Sequence, residues 1–199
     1  MPTLSHDPLD ILLAYDAWAT RLLLEHSRQL SHDQFHRRFE IGLGSLHDSF
    51  THIIGAQRRW TDRIAHPPRP LRPPIAAIPG RPDIPHEGRG RTADELLQLH
   101  TQTAQEFQSL ARDLRSKPDG LASTFSLDWP RAPEEGPGMK RYTFSRGCAI
   151  THVLNHGTHH RAQILNMLRH LKHPGLSDKL PELDLVDWQV AAESPPVLI

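Results

Sequence analysis

The sequence predicts an all-α fold arranged as a four-helix bundle. Three observations predict it. Four long segments carry apolar residues every three or four positions, helix-start signals stand at their N-terminal ends, and a proline-rich stretch separates the second from the third. Apolar stripes at helical spacing must be buried against one another, and four of them joined by loops are satisfied by a bundle whose core positions all face inward.

The first helix is expected over residues 8–30, where Leu9, Leu12, Leu13, Trp18, Leu22, Leu23 and Leu30 keep the spacing, with Asp7 as N-cap and Pro8 at the first position. Residues 31–44, polar and containing Gly42 and Gly44, read as a short helical turn mixed with loop. Residues 45–65 follow as a second helix through Leu46, Phe50, Ile53, Ile54, Trp60 and Ile64, with His52 near its middle. Residues 66–91 hold Pro67, Pro68, Pro70, Pro73, Pro74, Pro79, Pro82 and Pro85 and form a long loop, because proline lacks the backbone donor and fixes φ. It reads as a solvated excursion or as a lid.

Thr92 with Glu95 makes a capping-box pattern that opens a third helix, residues 92–117, along Leu96, Leu99, Phe107, Leu110 and Leu114. Two β-prone pieces, 124–129 and 140–144, flank a Pro/Gly/Glu segment and are expected to pair as a small hairpin. Ser145 caps a fourth long helix, 146–171, and a short closing helix is expected over 183–192. The 199 residues read as one domain.

Lys+Arg and Asp+Glu are balanced at 23 each, which gives no basic footprint for nucleic acid. The first residues do not read as a signal peptide, and no uncharged stretch is long enough to span a bilayer. The lone Cys148 forms no internal disulfide, and the expected location is cytoplasmic. Histidine is the compositional anomaly: fifteen residues, against six Phe and two Tyr.

Within the fourth helix, His152, His156 and His160 recur every four residues on one face. Eight residues rise about 12 Å, whereas zinc–nitrogen bonds are about 2.0–2.1 Å, so all three cannot share an ion. The helix offers His152 with His156, or His156 with His160. His52 on the second helix supplies a third ligand from a neighbour, as bundle metal sites require. Three protein ligands leave one position open for water or substrate, the arrangement of catalytic rather than closed structural sites. His159 points about 100° away from His160 on the wheel. Cys148, two turns from His156, is too far to ligate and reads as a small buried filler. His26, His32, His36, His47, His86, His100, His170 and His173 form no constellation and are expected at the surface.

The segments Ser45-Leu-His-Asp-Ser-Phe-Thr-His52-Ile-Ile-Gly-Ala-Gln-Arg-Arg-Trp60 and Thr151-His-Val-Leu-Asn-His156-Gly-Thr-His-His160-Arg-Ala-Gln-Ile164 resemble the DinB-like, YfiT-like metalloprotein superfamily, as does the first helix around Tyr15, Asp16, Trp18 and Ala19. The resemblance implies an up-down-down-up bundle, a divalent ion such as zinc or nickel, and a homodimer. It also implies that His52, His156 and His160 are the ligands, which chooses the second of the two pairs. His152, one turn away, and Arg161 are candidates for supporting the site indirectly; Arg161 either orients a bound anion or makes a salt bridge inside the bundle. Ala162 stands where the family often has glycine, and the proline-rich loop is longer than is common in it.

Members of that superfamily join mycothiol- or bacillithiol-type thiols to electrophiles, and one branch isomerises maleylpyruvate. The resemblance therefore implies a metal-dependent transferase that activates a low-molecular-weight thiol, the thiolate being the form that attacks. A metal-dependent hydrolase is the alternative. It wants a general base, for which Asp48, one turn from His52, is the nearest carboxylate in sequence. A non-enzymatic stress-response protein, in which the ion braces two helices, is the third reading.

Overall fold

Asp7 accepts hydrogen bonds from the N–H groups of Leu9 and Asp10, and Pro8 needs no donor partner, so α1 begins there. In the computed structural model, which describes residues 6–72, Ile75 and residues 90–193, the elements in order are α1 (Pro8–Ser27), α2 (His32–His36), α3 (Leu46–Ile64), α4 (Ala93–Ser116), β1 (Thr124–Pro130), β2 (Met139–Ser145), α5 (Arg146–Leu171) and α6 (Leu185–Glu193). Each long helix starts at a residue that caps it: Asp7, Ser45, Thr92 and Ser145 all accept from backbone N–H groups of the first turn. The Thr92 cap is a complete capping box with Glu95.

α1 lies against α4 and α5, and α3 lies against the same two helices. Side-chain pairings give the directions. Asp10 meets Arg112 and Arg115, and Arg28 meets Asp94, so α1 and α4 run antiparallel. Trp60 meets His152, and Arg146 donates to the carbonyl of Ile64, so α3 and α5 run antiparallel. β1 and β2 pair antiparallel, Thr124 opposite Ser145 and Pro130 opposite Met139.

The interior is divided lengthwise. One apolar cluster gathers Leu23, Leu24, Phe50, Ile54, Leu96, Ile164 and Met167. The other gathers Leu13, Trp60, Ile64, Phe107, Ala111, Ile150 and Val153. Complete burial of a side chain such as Phe50 or Phe107 contributes about 1.5–3 kcal/mol. Between the two clusters lies a buried polar layer: Asp16, Thr20, Gln57, His100 and Arg161. A buried charge persists only when it is paired, and here Arg161 pairs with Asp16 while also donating to Thr20 Oγ1 at 3.2 Å. Gln57 Nε2 donates to the other Asp16 oxygen at 3.2 Å.

This polar layer contains Gly157. A Cβ there would stand 2.6 Å from Asp16 Oδ1 and 2.8 Å from the Arg161 guanidinium. The ion pair between α1 and α5 therefore depends on the absence of a side chain at that position.

The helix boundaries follow the sequence reading closely, with α1 ending three residues before the expected end, both strands one residue longer toward the turn, and β2 one residue longer at Ser145. The polar stretch contains the expected short helical turn as α2. Of the proline-rich loop, residues 73, 74 and 76–89 lie outside the described residues, and with them His86 and the lid reading.

Candidate metal centre

His52 lies in the second turn of α3 and faces α5, its register set by the Ser45 cap. His156 and His160 lie one turn apart on α5, whose start is set by Ser145 accepting from Cys148 N–H at 3.1 Å. The antiparallel packing of α3 on α5 brings the three imidazoles together. His156 Nε2 is 2.9 Å from His52 Nε2 and 3.2 Å from His160 Nε2. The three nitrogen atoms lie within 4.8 Å of one another, and among the described residues they form the metal-competent cluster of histidine, cysteine and carboxylate groups.

The separations fit an ion. Two of the three separations, 2.9 and 3.2 Å, are short enough for nitrogens that would share one ion at metal–nitrogen bonds of about 2.05 Å, and three protein ligands would leave a further position for water or substrate. His52 and His156 are half-buried and His160 is 9% exposed, so the cluster is reachable from solvent.

Three imidazole nitrogens at this distance repel unless a proton or a cation lies among them, and the surroundings disfavour the proton. Burial, reinforced by His160 and His52, pushes His156 down to about 4. Burial also lowers His52, with help from His160 and Arg59, and it lowers His160. Neutral imidazole is the form that binds metal. His160 is further prepared by Gln163, whose Oε1 accepts from His160 Nδ1 at 2.8 Å and so leaves the Nε2 lone pair pointing inward. The Gln163 amide is fixed in turn by donating to His159 Nε2 at 2.9 Å. Gly42, at φ 51°, makes room for it: a Cβ would meet Gln163 Oε1 at 2.3 Å.

Gln163 is the residue that sequence reasoning passed over. Its signal was present, three residues after His160 on the same face, where a side chain can reach back to a ligand. His159, set aside on the helical wheel, belongs to the arrangement through Gln163 and through its ring, edge-on to His160 at 5.1 Å.

The other candidates fall as follows. His152 is exposed one turn from His156, its ring edge-on to Trp60 at 5.2 Å, and no hydrogen bond among the described residues joins it to the three histidines. Arg161 makes the salt bridge inside the bundle, 2% exposed, rather than facing an anion. Asp48 is held by His47 Nδ1 at 3.0 Å and by Arg38 at 2.6 Å.

Three expectations are corrected. Cys148 is exposed, not a buried filler, because the first turn of α5 turns that position to solvent. His100 is not a surface residue: it is 2% exposed, within the polar layer, and bonded through Nε2 to the Ala17 carbonyl at 3.0 Å. Burial holds its pKa down, so Nε2–H donates and the ring is neutral. His36 and His47 also depart from a solvated surface, stacking on each other with ring centroids 4.4 Å apart.

No helix among the described residues is long and apolar enough to cross a membrane. The model of the DinB family matches residues 5–184 of the sequence. No curated protein and no solved structure matches it.

Proposed function

The chain belongs to the DinB family, and from that premise we propose that it binds one divalent transition-metal ion, zinc or nickel, through His52, His156 and His160 and transfers a low-molecular-weight thiol to an electrophile. The observation that carries the reading is that three histidine nitrogens from two helices lie within 4.8 Å of one another, a set of three ligands that would leave a position for substrate. A bound divalent ion supplies the positive charge that keeps a thiol in its thiolate form near neutral pH.

The chain's own residues do the remaining work. Gln163 fixes the His160 tautomer, and the Asp16–Arg161 pair anchors α5 against α1 so that the two histidines of α5 keep their register toward His52. Trp60, buried two turns along α3 from His52, has Trp129 and Phe144 edge-on to it at 6.0 and 6.4 Å, an aromatic wall that meets His152 one turn before His156. Its half-buried members, Trp129 and Phe144, suit the apolar body of an electrophile.

Thiol transfer is favoured over hydrolysis by Asp48. The carboxylate one turn before His52 is committed to His47 and Arg38, so that position does not supply the base a hydrolase wants. The helices fit the same reading: α1, α3, α4 and α5 as one up-down-down-up bundle.

Conjugation of cysteine, glutathione and bacillithiol to chlorodinitrobenzene tests the proposal. A carbon–sulfur bond forms, chloride leaves with its electron pair, and the thiol proton passes to solvent. Metal-dependent conjugation with one of these thiols is the expected result. No turnover with any of them in the metal-loaded protein would overturn it and leave a metal-braced, non-enzymatic bundle.

A further inference from the structure

At 3.6 residues per turn, positions seven and eleven after a given residue return to within about 20° of its direction. On α3 those positions relative to His52 are Arg59 and Arg63, so both arginines share the face that carries the ligand. Both are half-buried. Arg59 does not extend away from the site: its guanidinium lies 3.3 Å from where a Cβ on Gly55 would stand. It is folded back by one turn toward His52, over a position with no side chain.

Arg63 lies farther along, its guanidinium 5.4 Å above the Trp60 ring, and Trp60 in turn meets His152 edge-on. Arg59 and Arg63 are close enough for Arg59, after burial, to lower the pKa of Arg63. Neither pairs with a carboxylate among the described residues, unlike Arg72 with Asp62 and Glu106, Arg112 and Arg115 with Asp10, and Arg161 with Asp16. Two half-buried cations without a counter-charge thus flank a site that a metal ion makes more positive still. Among the described residues no carboxylate completes that arrangement, and an anion bound there would.

We propose that the substrate taken at the three-histidine site is a carboxylate, held by Arg59 and Arg63 as specificity-determining residues while its reacting end lies at the histidines. The inference rests on the thiol-transferase reading for the identity of the reacting end, and the carboxylate can belong to the thiol or to its acceptor.

The test is binding rather than turnover. Cobalt-loaded protein is titrated with straight-chain ω-mercapto acids from mercaptoacetate to mercaptohexanoate and with their amides, followed by the sulfur-to-cobalt charge-transfer band. Straight-chain dicarboxylates and their monoamides are titrated in parallel by calorimetry. Both series are repeated on the Arg59→Gln, Arg63→Gln double variant.

The expected result is that the acids of best-fitting length bind about tenfold or more tightly than the amides, as charge-assisted hydrogen bonds to arginine warrant. The difference should collapse in the double variant, with cobalt content unchanged. Preference by the thiol acids places the carboxylate on the thiol; preference confined to the dicarboxylates places it on the acceptor. Equal binding of acids and amides in both series, or a preference that survives in the variant, overturns the proposal. Absence of a sulfur band with every thiol overturns the thiolate reading instead, and the dicarboxylate series then decides the anion site by itself.

Discussion

Acidifying the metal-loaded protein from about pH 7.5 to about pH 5.5 sets protons against the ion for possession of three imidazoles. With the ordinary histidine pKa of about 6.5, each would be neutral about nine times in ten at the higher pH and about one time in ten at the lower, a combined loss of about a thousandfold in affinity. The burial of the site predicts a much smaller loss. His156, held at about 4, stays neutral throughout and drops out of the product. His52 and His160 are also lowered, so each contributes less than a factor of about ten. The expected fall is below about a hundredfold. Calorimetric titration with zinc across this range measures both the affinity and the protons displaced per ion. A thousandfold fall, with protons released from all three imidazoles near pH 6.5, would refute the link between burial and a metal-ready site. In the metal-free protein the same depression has a definite sign for stability. The unfolded chain takes up the His156 proton first, so the contribution is full above about pH 6.5 and is lost as pH falls from there to about 4. Urea midpoints across that window check it.

Elemental analysis of His52→Ala, His156→Ala and His160→Ala should show the ion lost from each, while His152→Ala retains it; equal loss from His152→Ala would contradict the ligand set. Gln163→Ala, which removes the acceptor from His160 Nδ1, should weaken metal binding by about 10–100-fold with the helical circular dichroism unchanged. Gly157→Ala sets two effects against each other. Helix propensity alone favours alanine by about 1 kcal/mol, but the new Cβ would lie 2.6 Å from Asp16 Oδ1 in the buried pair. Disrupting such a pair costs about 3–5 kcal/mol, so a net destabilisation of about 2–4 kcal/mol is expected in urea unfolding. A variant more stable than the parent would show that the pair tolerates displacement.

What was legible in the sequence was what repeats locally. Caps and 3.6-residue periodicity are properties of neighbours along the chain, which is why α3, α4 and α5 lie where Ser45, Thr92 and Ser145 place them. The helical wheel likewise put His152, His156 and His160 on one face, yet it left the choice between pairs open, because that choice depends on the axial position of α3 against α5. The limit shows at His100, which reads locally as a polar position on a helix and is made interior only by its partner on another helix, the Ala17 carbonyl. For Arg161 the local sequence allows an anion or a salt bridge, and Asp16 on α1 decides for the salt bridge. Cys148 erred the other way: residue type suggested burial, and its place in the first turn of α5 decided for exposure.

The junction at Ser145 has a mechanical consequence. This residue ends β2 and caps α5 with no linker between them. Arg146 then ties the junction down, donating to the Ile64 and Thr124 carbonyls at 2.8 and 3.1 Å. The hairpin is therefore a rigid extension of the helix that carries His156 and His160, as a handle is of its shaft. Any tilt of that lever moves Trp129, Phe144 and two of the three histidines in phase, and the relative motion left to the site is that of α3, which carries His52 and Trp60.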